Sequence, residues 1–307
     1  VPEDPEPEDE SVVRDGTLGA EPGATRVAVV SDAQFTADDP DGPLVRQARR
    51  SLREAVAARP DMVVLNGDFV DRGTGADLDL ARQIIRSELG DRVPWVYVPG
   101  NHETYGTGNL REFRARFGAT HRVVDSGTNR FVFLDSSRGS LREGGFDQIR
   151  MLRHALATAA RDPFIRSVSV FLHHPTEDPT PADASELDDP LEAELLTSWL
   201  ADFERASGKP AVAVAAHAGA FAASTVDGVQ HLVNGNAAKS PSVAPEDGGF
   251  TGTSVLRIGP GDRDAVRWET RPHVDELRMR APGTLSVGQA RRVEVEVLQQ
   301  DRTVPLA

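Results

Sequence analysis

Between Arg26 and Ile258 short apolar runs alternate with longer stretches whose apolar positions recur at helical spacing. Runs so short and so uniformly apolar read as strands buried on both faces. Their alternation with amphipathic helices predicts an α/β layered sandwich. Strands are expected at Val27–Val30, Met62–Leu65, Trp95–Val98, Val168–Leu172, Ala211–Ala215, His231–Val233 and Thr253–Ile258, with hairpin strands at Arg122–Val124 and Phe131–Leu134. Helices are expected at Pro43–Ala58, with Pro near the first turn, and at Leu78–Leu89, Leu110–Phe117 and Phe146–Ala160. A polar, Pro-rich loop, Thr176–Pro190, leads into a further helix to Ala206.

The two ends differ from this pattern. Residues 1–24 open with VPEDPEPEDE and are expected to be an acidic, Pro-rich linker. Residues 25–272 form the main domain. In 273–307, Val274–Met279 and Arg292–Leu298 alternate apolar and polar around a Pro282-Gly283 turn. This β-rich segment reads either as the start of an all-β, Ig-like module or as a hairpin packed on the main domain.

Five strand ends carry oxygen or nitrogen donors: Asp32 and Gln34; Asp68, followed by Asp71 and Arg72; Asn101-His102-Glu103; His173-His174; and His217. Each alone has a structural explanation, as a cap, a turn former or a core histidine. Together they bring carboxylate, amide and imidazole to one sheet edge, where ligands of α/β proteins sit. Such donors suit Mn, Fe, Zn or a similar divalent ion. The absence of cysteine removes thiolate nucleophiles, disulfides and Cys-ligated zinc together. A net charge of −14, from 34 basic and 48 acidic residues, is a poor match for a polyanion. Nucleic acid is therefore not an expected partner, whereas a small phosphate ester drawn in by a local metal is compatible. No apolar stretch approaches the ~20 residues that span a bilayer. His121, His154, His231 and His273 have no motif around them, and Asn234-Gly235-Asn236 fits either a crevice wall or a tight turn.

In order, Asp32-Ala33-Gln34, Gly67-Asp68-Phe69-Val70-Asp71, Gly100-Asn101-His102-Glu103, His173-His174-Pro175 and Ala216-His217-Ala218-Gly219 resemble the motifs of the calcineurin-like metallophosphoesterases. The run is also similar to the metallophosphoesterase domains of actinobacterial secreted proteins that carry a phosphodiester glycosidase domain. That second likeness, with the start at Val1, implies an extracellular or cell-surface piece tethered to other domains of a longer chain.

The first resemblance implies an α/β/β/α sandwich with mixed central sheets (metallo-dependent phosphatase-like) and two metals bridged by Asp68. One metal would be held by Asp68, Asn101, His173 and His217, with His173 rather than His174 as ligand from motif order. The other would be held by Asp32, Asp68 and two histidines, and at those places this chain has Gln34 and Gly219. One or two divalent ions (Mn, Fe, Zn or Mg) are therefore expected. The Asp32 site could hold a hard ion through Gln34 and water, it could stay without metal, or activity could be lost. The implied chemistry is attack of a metal-activated water on phosphorus. His102 protonates the leaving oxygen or contacts phosphate, Asp71 orients His102, and Arg72 either offers a fork for phosphate or is solvated or paired with Asp71. Glu103 reads as a capping or supporting group. Rival readings are a Ser/Thr protein phosphatase, from Gly-Asp-Phe-Val-Asp-Arg-Gly, and a binding scaffold without activity. Monoester and diester substrates both stay open.

Overall fold

The computed structural model describes residues 24–259, 266–281, 284 and 292–304. The first part runs β1 (Thr25–Val30), α1 (Pro43–Ala57), β2 (Met62–Asn66), α2 (Gly75–Glu88), β3 (Trp95–Val98), α3 (Arg111–Phe117), β4 (Arg122–Ser126) and β5 (Asn129–Phe133). Next come α4 (Leu141–Gly144), α5 (Phe146–Arg161), β6 (Ser167–Phe171), α6 (Pro190–Ser207), β7 (Ala211–Ala215), β8 (Ala222–Val226) and β9 (Val229–Val233). The last are β10 (Gly252–Ile258), β11 (Val266–Pro272), β12 (Glu276–Arg280), β13 (Glu294–Gln299) and β14 (Arg302–Val304).

Two mixed sheets result, ordered β11-β10-β1-β2-β3 and β4-β5-β6-β7-β9-β8. Side chains alternate across a strand, and both faces of the central strands are covered. Val27, Val29, Val64 and Val96 of the first sheet meet Phe131, Phe133, Phe171 and Val214 of the second. The outward-facing Ala28, Val30, Val63 and Leu65 pack with Leu52, Ile84 and Phe113 of α1, α2 and α3. Val168, Val170 and Ala213 pack with Leu152 and Leu200 of α5 and α6. The layers are thus α/β/β/α, and double coverage is why the strands read as unbroken apolar runs.

α2 begins earlier than the expected Leu78, because Thr74 caps it by accepting from the Asp77 N–H. Asp189 caps α6 in the same way, accepting from Leu191 N–H, so the preceding loop stops where Pro190 can start a helix. Three strands lie beyond the sequence expectation, β8, β11 and β14. β8 is short and mostly exposed, so hydropathy gives it no signal, but the Asp227-Gly228 turn that joins it to β9 has positive φ at both residues. An Asp-Gly pair there is the hairpin signal that hydropathy reading passes over.

At the C-terminal side, β12, β13 and β14 form a separate antiparallel sheet. Its Val297 and Val304 are buried with Phe221 and Phe250, whose rings stack at 4.5 Å. Gln299 brackets Thr251, accepting from its N–H at 2.8 Å and donating to its carbonyl at 2.7 Å. The expected linker up to residue 23 and the Pro282-Gly283 turn lie outside the described residues.

Candidate metal centre

The carboxyl ends of β1, β2 and β3 in one sheet, and of β6 and β7 in the other, lie along a single edge. Asn66 stitches the two sheets there, donating its amide to the carbonyls of Leu172 (3.0 Å) and Val214 (3.2 Å). The loops leave the strands in an unusual conformation. Asp32, Gln34, Asp68 and His217 have φ of 53°, 50°, 53° and 69°, a region side chains avoid unless the surroundings impose it. Here main-chain bonds impose it: Asp32 N–H to Gly67 O and Gln34 N–H to Asp68 O, each 3.1 Å. Gly67 and Gly100 leave room for the functional side chains, since a Cβ would collide with His173 at the former and with Asp68 at the latter.

Glu103 is the keystone of this frame. Its fully buried carboxylate accepts from the N–H groups of Asp68 (2.9 Å), Phe69 (3.0 Å) and Gly100 (2.6 Å), and from the Tyr97 hydroxyl (2.6 Å). It therefore fixes the loops that carry Asp68 and Asn101 together. Burial and the nearby Asp68 charge raise its pKa.

Asp68, His173 and His217 bring ligand atoms within 4.8 Å of one another. His173 Nε2 is 3.2 Å from Asp68 Oδ2 and 3.2 Å from His217 Nδ1. The other nitrogen, Nδ1, donates to the Asn66 carbonyl at 2.8 Å, which fixes the tautomer and aims Nε2 at the cluster. Burial pulls the His173 pKa down, but the Asp68 carboxylate outweighs it and lifts the value to about 9. His217 is pushed down to about 4, by burial and then by the His173 charge. Asn101 Oδ1 is buried without a hydrogen-bond partner among the described residues. Two imidazoles, a carboxylate and an unpartnered amide oxygen fit one divalent transition ion.

The Asp32 side is different. Asp32 Oδ2 accepts from the His217 main-chain N–H at 3.3 Å, while Oδ1 is buried without a partner. Burial raises the Asp32 pKa to about 6, with His173 opposing the rise and Asp68 adding to it. Gln34 donates its amide to Asp68 Oδ2 at 3.3 Å.

His102 donates Nδ1–H to the Asp71 carbonyl at 2.8 Å, with an Asp71 carboxylate oxygen at 3.3 Å, leaving Nε2 3.8 Å from Asp68 Oδ2. Asp71 thus orients His102 mainly through its main chain. Arg72 pairs with Asp38 at 2.6 Å and lies 3.5 Å from Asp77, clamping its own loop. His174 lies beside the cluster, its ring centroid 4.3 Å from that of His217 and its Nδ1 3.2 Å from Ser136 Oγ. Asn234 and Ser31 join across the layers at 2.7 Å. His121 pairs with Asp147, and His273 lies against Glu54, both outside the cluster.

Sequence reasoning missed Tyr105 and Lys239. The Tyr105 hydroxyl accepts from Asn101 Nδ2 at 2.9 Å, and its ring lies 4.5 Å from that of His102. Tyr105 thereby fixes which end of the Asn101 amide is left for a metal. Tyr105→Phe keeps the ring and removes that anchor. Its manganese dissociation constant is expected to rise about tenfold, as for other outer contacts of metal ligands, with an unchanged melting temperature. Wild-type affinity in calorimetric titration would rule the anchor out. Lys239 donates its main-chain N–H to the Asp32 carbonyl at 3.2 Å.

Several known proteins are similar to this chain in sequence or in fold. The chain is 30% identical over 155 residues to a glycerophosphodiester phosphodiesterase, GpdQ, of Enterobacter lignolyticus, covering 48% of this chain and 52% of that protein. It is 32% identical over 148 residues to a cAMP/cGMP dual specificity phosphodiesterase of Mycobacterium tuberculosis, covering 45% and 42%. The chain spans about half the length of these curated relatives. Its fold matches a dimetal phosphatase from Danio rerio (TM-score 0.55, 18% identity, 80% of this chain and 98% of that one). It also matches GAP50, the anchor in the inner membrane complex of Plasmodium (TM-score 0.58, 11% identity, 92% and 91%). The calcineurin-like phosphoesterase family model matches residues 25–239, and the chain belongs to that family.

Proposed function

We propose that the protein hydrolyses phosphodiesters with a divalent transition ion held by Asp68, His173, His217 and Asn101. The convergence of Asp68 Oδ2, His173 Nε2 and His217 Nδ1 within 4.8 Å carries this reading. A bound ion supplies Lewis acidity, polarising a phosphoryl oxygen and lowering the pKa of water. The chain supplies the rest. The Asn66 carbonyl holds Nδ1–H of His173, so that Nε2 is the nitrogen that gives up its proton to a metal, and Glu103 holds the Asp68 and Asn101 loops in register. His102, oriented by the Asp71 carbonyl, turns Nε2 toward Asp68 and is placed to protonate a leaving oxygen. Diesters are favoured because the named relatives are phosphodiesterases and Arg72, which could otherwise offer a second charge to a dianion, is paired with Asp38.

With manganese, bis(p-nitrophenyl) phosphate is expected to turn over faster than p-nitrophenyl phosphate. Protein that binds manganese and hydrolyses neither ester would sink the enzyme reading and favour a scaffold. The fold alone does not decide between them, since an anchor protein shares it.

Metal binding should depend on pH in a stated direction. In the metal-free protein His173 has a pKa of about 9 against an ordinary 6.5. The stability that its pairing with Asp68 contributes is present below pH 6.5 and lost as pH rises through about 9. Metal must displace that proton, so affinity runs the other way, rising about tenfold per pH unit across the same window for one proton released. Manganese titrations at several pH values within it test this, and a flat profile would contradict it.

A further inference from the structure

The two places where the family resemblance puts histidine ligands for a second metal are closed to that use. Gln34 turns its amide N–H toward Asp68. Gly219 carries no side chain, and at its φ of +73° a side chain would be strained and its Cβ would press on Ser242 Oγ. Asp32 is left with a buried, unpartnered oxygen, and a second ion there lacks its nitrogen donors.

The segment after β9 brings a cation to this side. Ala237 N–H binds the Ser31 carbonyl at 2.8 Å and Lys239 N–H binds the Asp32 carbonyl at 3.2 Å, clamping the segment along the loop after β1. Lys239 is half-buried, and its ammonium has no hydrogen-bond or ion-pair partner among the described residues. Lysine is rare in this chain: two of its 34 basic residues are Lys, the others Arg. The other, Lys209, donates to the carbonyls of Ala159 and Asp162, each at 2.6 Å. The Lys239 charge acts on the same side of the centre, opposing in small part the burial that raises the Asp32 pKa and adding a little to the burial that lowers that of His217.

We propose that Lys239 provides, on the Asp32 side, the fixed positive charge that a second ion supplies in two-metal sites. The centre then works with one divalent ion and one ammonium, and a phosphoryl group lies between them. An ammonium is a compact point charge with three donors. It can receive anionic phosphoryl oxygens without the nitrogen ligands that an ion needs. One ion and one ammonium also suit a diester monoanion better than a monoester dianion.

This inference rests on the phosphoester reading, but it can fail separately. Wild-type protein saturated with manganese is expected to hold one ion per chain and to bind inorganic phosphate in calorimetry. Lys239→Met should keep the ion and lose about tenfold or more in phosphate affinity, the scale of a hydrogen bond to a charged group. Lys239→Gln is the second variant should the first fold poorly, and Lys239→Arg should recover part of the loss. Two ions per chain, or wild-type phosphate affinity in a folded variant that lacks the charge, would overturn it. The phosphate titration needs no turnover, so an absence of hydrolysis defeats the functional reading without deciding this one.

Discussion

Asp68→Asn is expected to abolish stable metal binding and to lower turnover by about three orders of magnitude, on the order of 4 kcal/mol of barrier. The reason is the number of groups that meet at this one carboxylate. Its Oδ2 lies 3.2 Å from His173 Nε2, 4.0 Å from His217 Nδ1 and 3.3 Å from the Gln34 amide, while its Oδ1 accepts from His102 N–H at 2.9 Å. Asparagine keeps the shape and can still accept from His102, so the loop should fold. It removes the negative charge, and with it the force that raises the His173 pKa. Burial then dominates, and the His173 pKa should fall from about 9. The variant thus carries two signatures, lost manganese in elemental analysis and a displaced histidine titration in NMR of the metal-free protein. Retention of the metal with a tenth or more of the activity would show that Asp68 is not the hub.

Glu103→Ala should be the most damaging change to stability among residues that touch no ligand. It strips partners from the N–H groups of Asp68, Phe69 and Gly100 and from the Tyr97 hydroxyl, all in a place that water reaches poorly. Leaving a buried donor unsatisfied costs about 1–3 kcal/mol, and partial relaxation leaves a net loss of roughly 4 kcal/mol. For a domain of this size that is a fall of about 10 °C in melting temperature. Metal affinity should fall with it, because the Asp68 and Asn101 loops lose their common anchor. Glu103→Gln is the sharper control: it keeps the volume, but its amide must point two donors into a nest of donors. A melting temperature within about 2 °C of wild type for the alanine variant, measured by calorimetry under the same metal conditions, would refute the role given to Glu103.

The layered fold was legible because its strands are covered on both faces, which forces unbroken apolar runs that end where the chain reaches solvent. The five strand ends could be read for the same reason. What was not legible depends on distance. Tyr105 lies outside the motif residues and matters only because a short helical turn folds it back on Asn101 and His102. Lys239 reaches Asp32 only because β9 and β1 belong to different sheets that meet at this edge. Arg72 reads from sequence as a phosphate fork, a solvated group or a partner of Asp71, and its actual partner Asp38 is 34 positions away in sequence. Asp71 is expected to orient His102, and the closer of its two contacts is made by its carbonyl, a group that every residue has. β8 escaped because it is short and exposed, with small side chains.

The proposed donors to a metal are divided between the layers: Asp68 and Asn101 follow strands of one sheet, His173 and His217 strands of the other. An ion among them is therefore a cross-link, closing a chain loop from Asp68 to His217 across the seam of the sandwich. The chain has no cysteine and so no disulfide to perform that task. The cohesion of the two layers at this edge then follows the free-metal concentration, by the mass action that ties any bound ligand to folding. On the proposed reading the ion would be both reagent and rivet, and the event that arms the site would also fasten the two halves together.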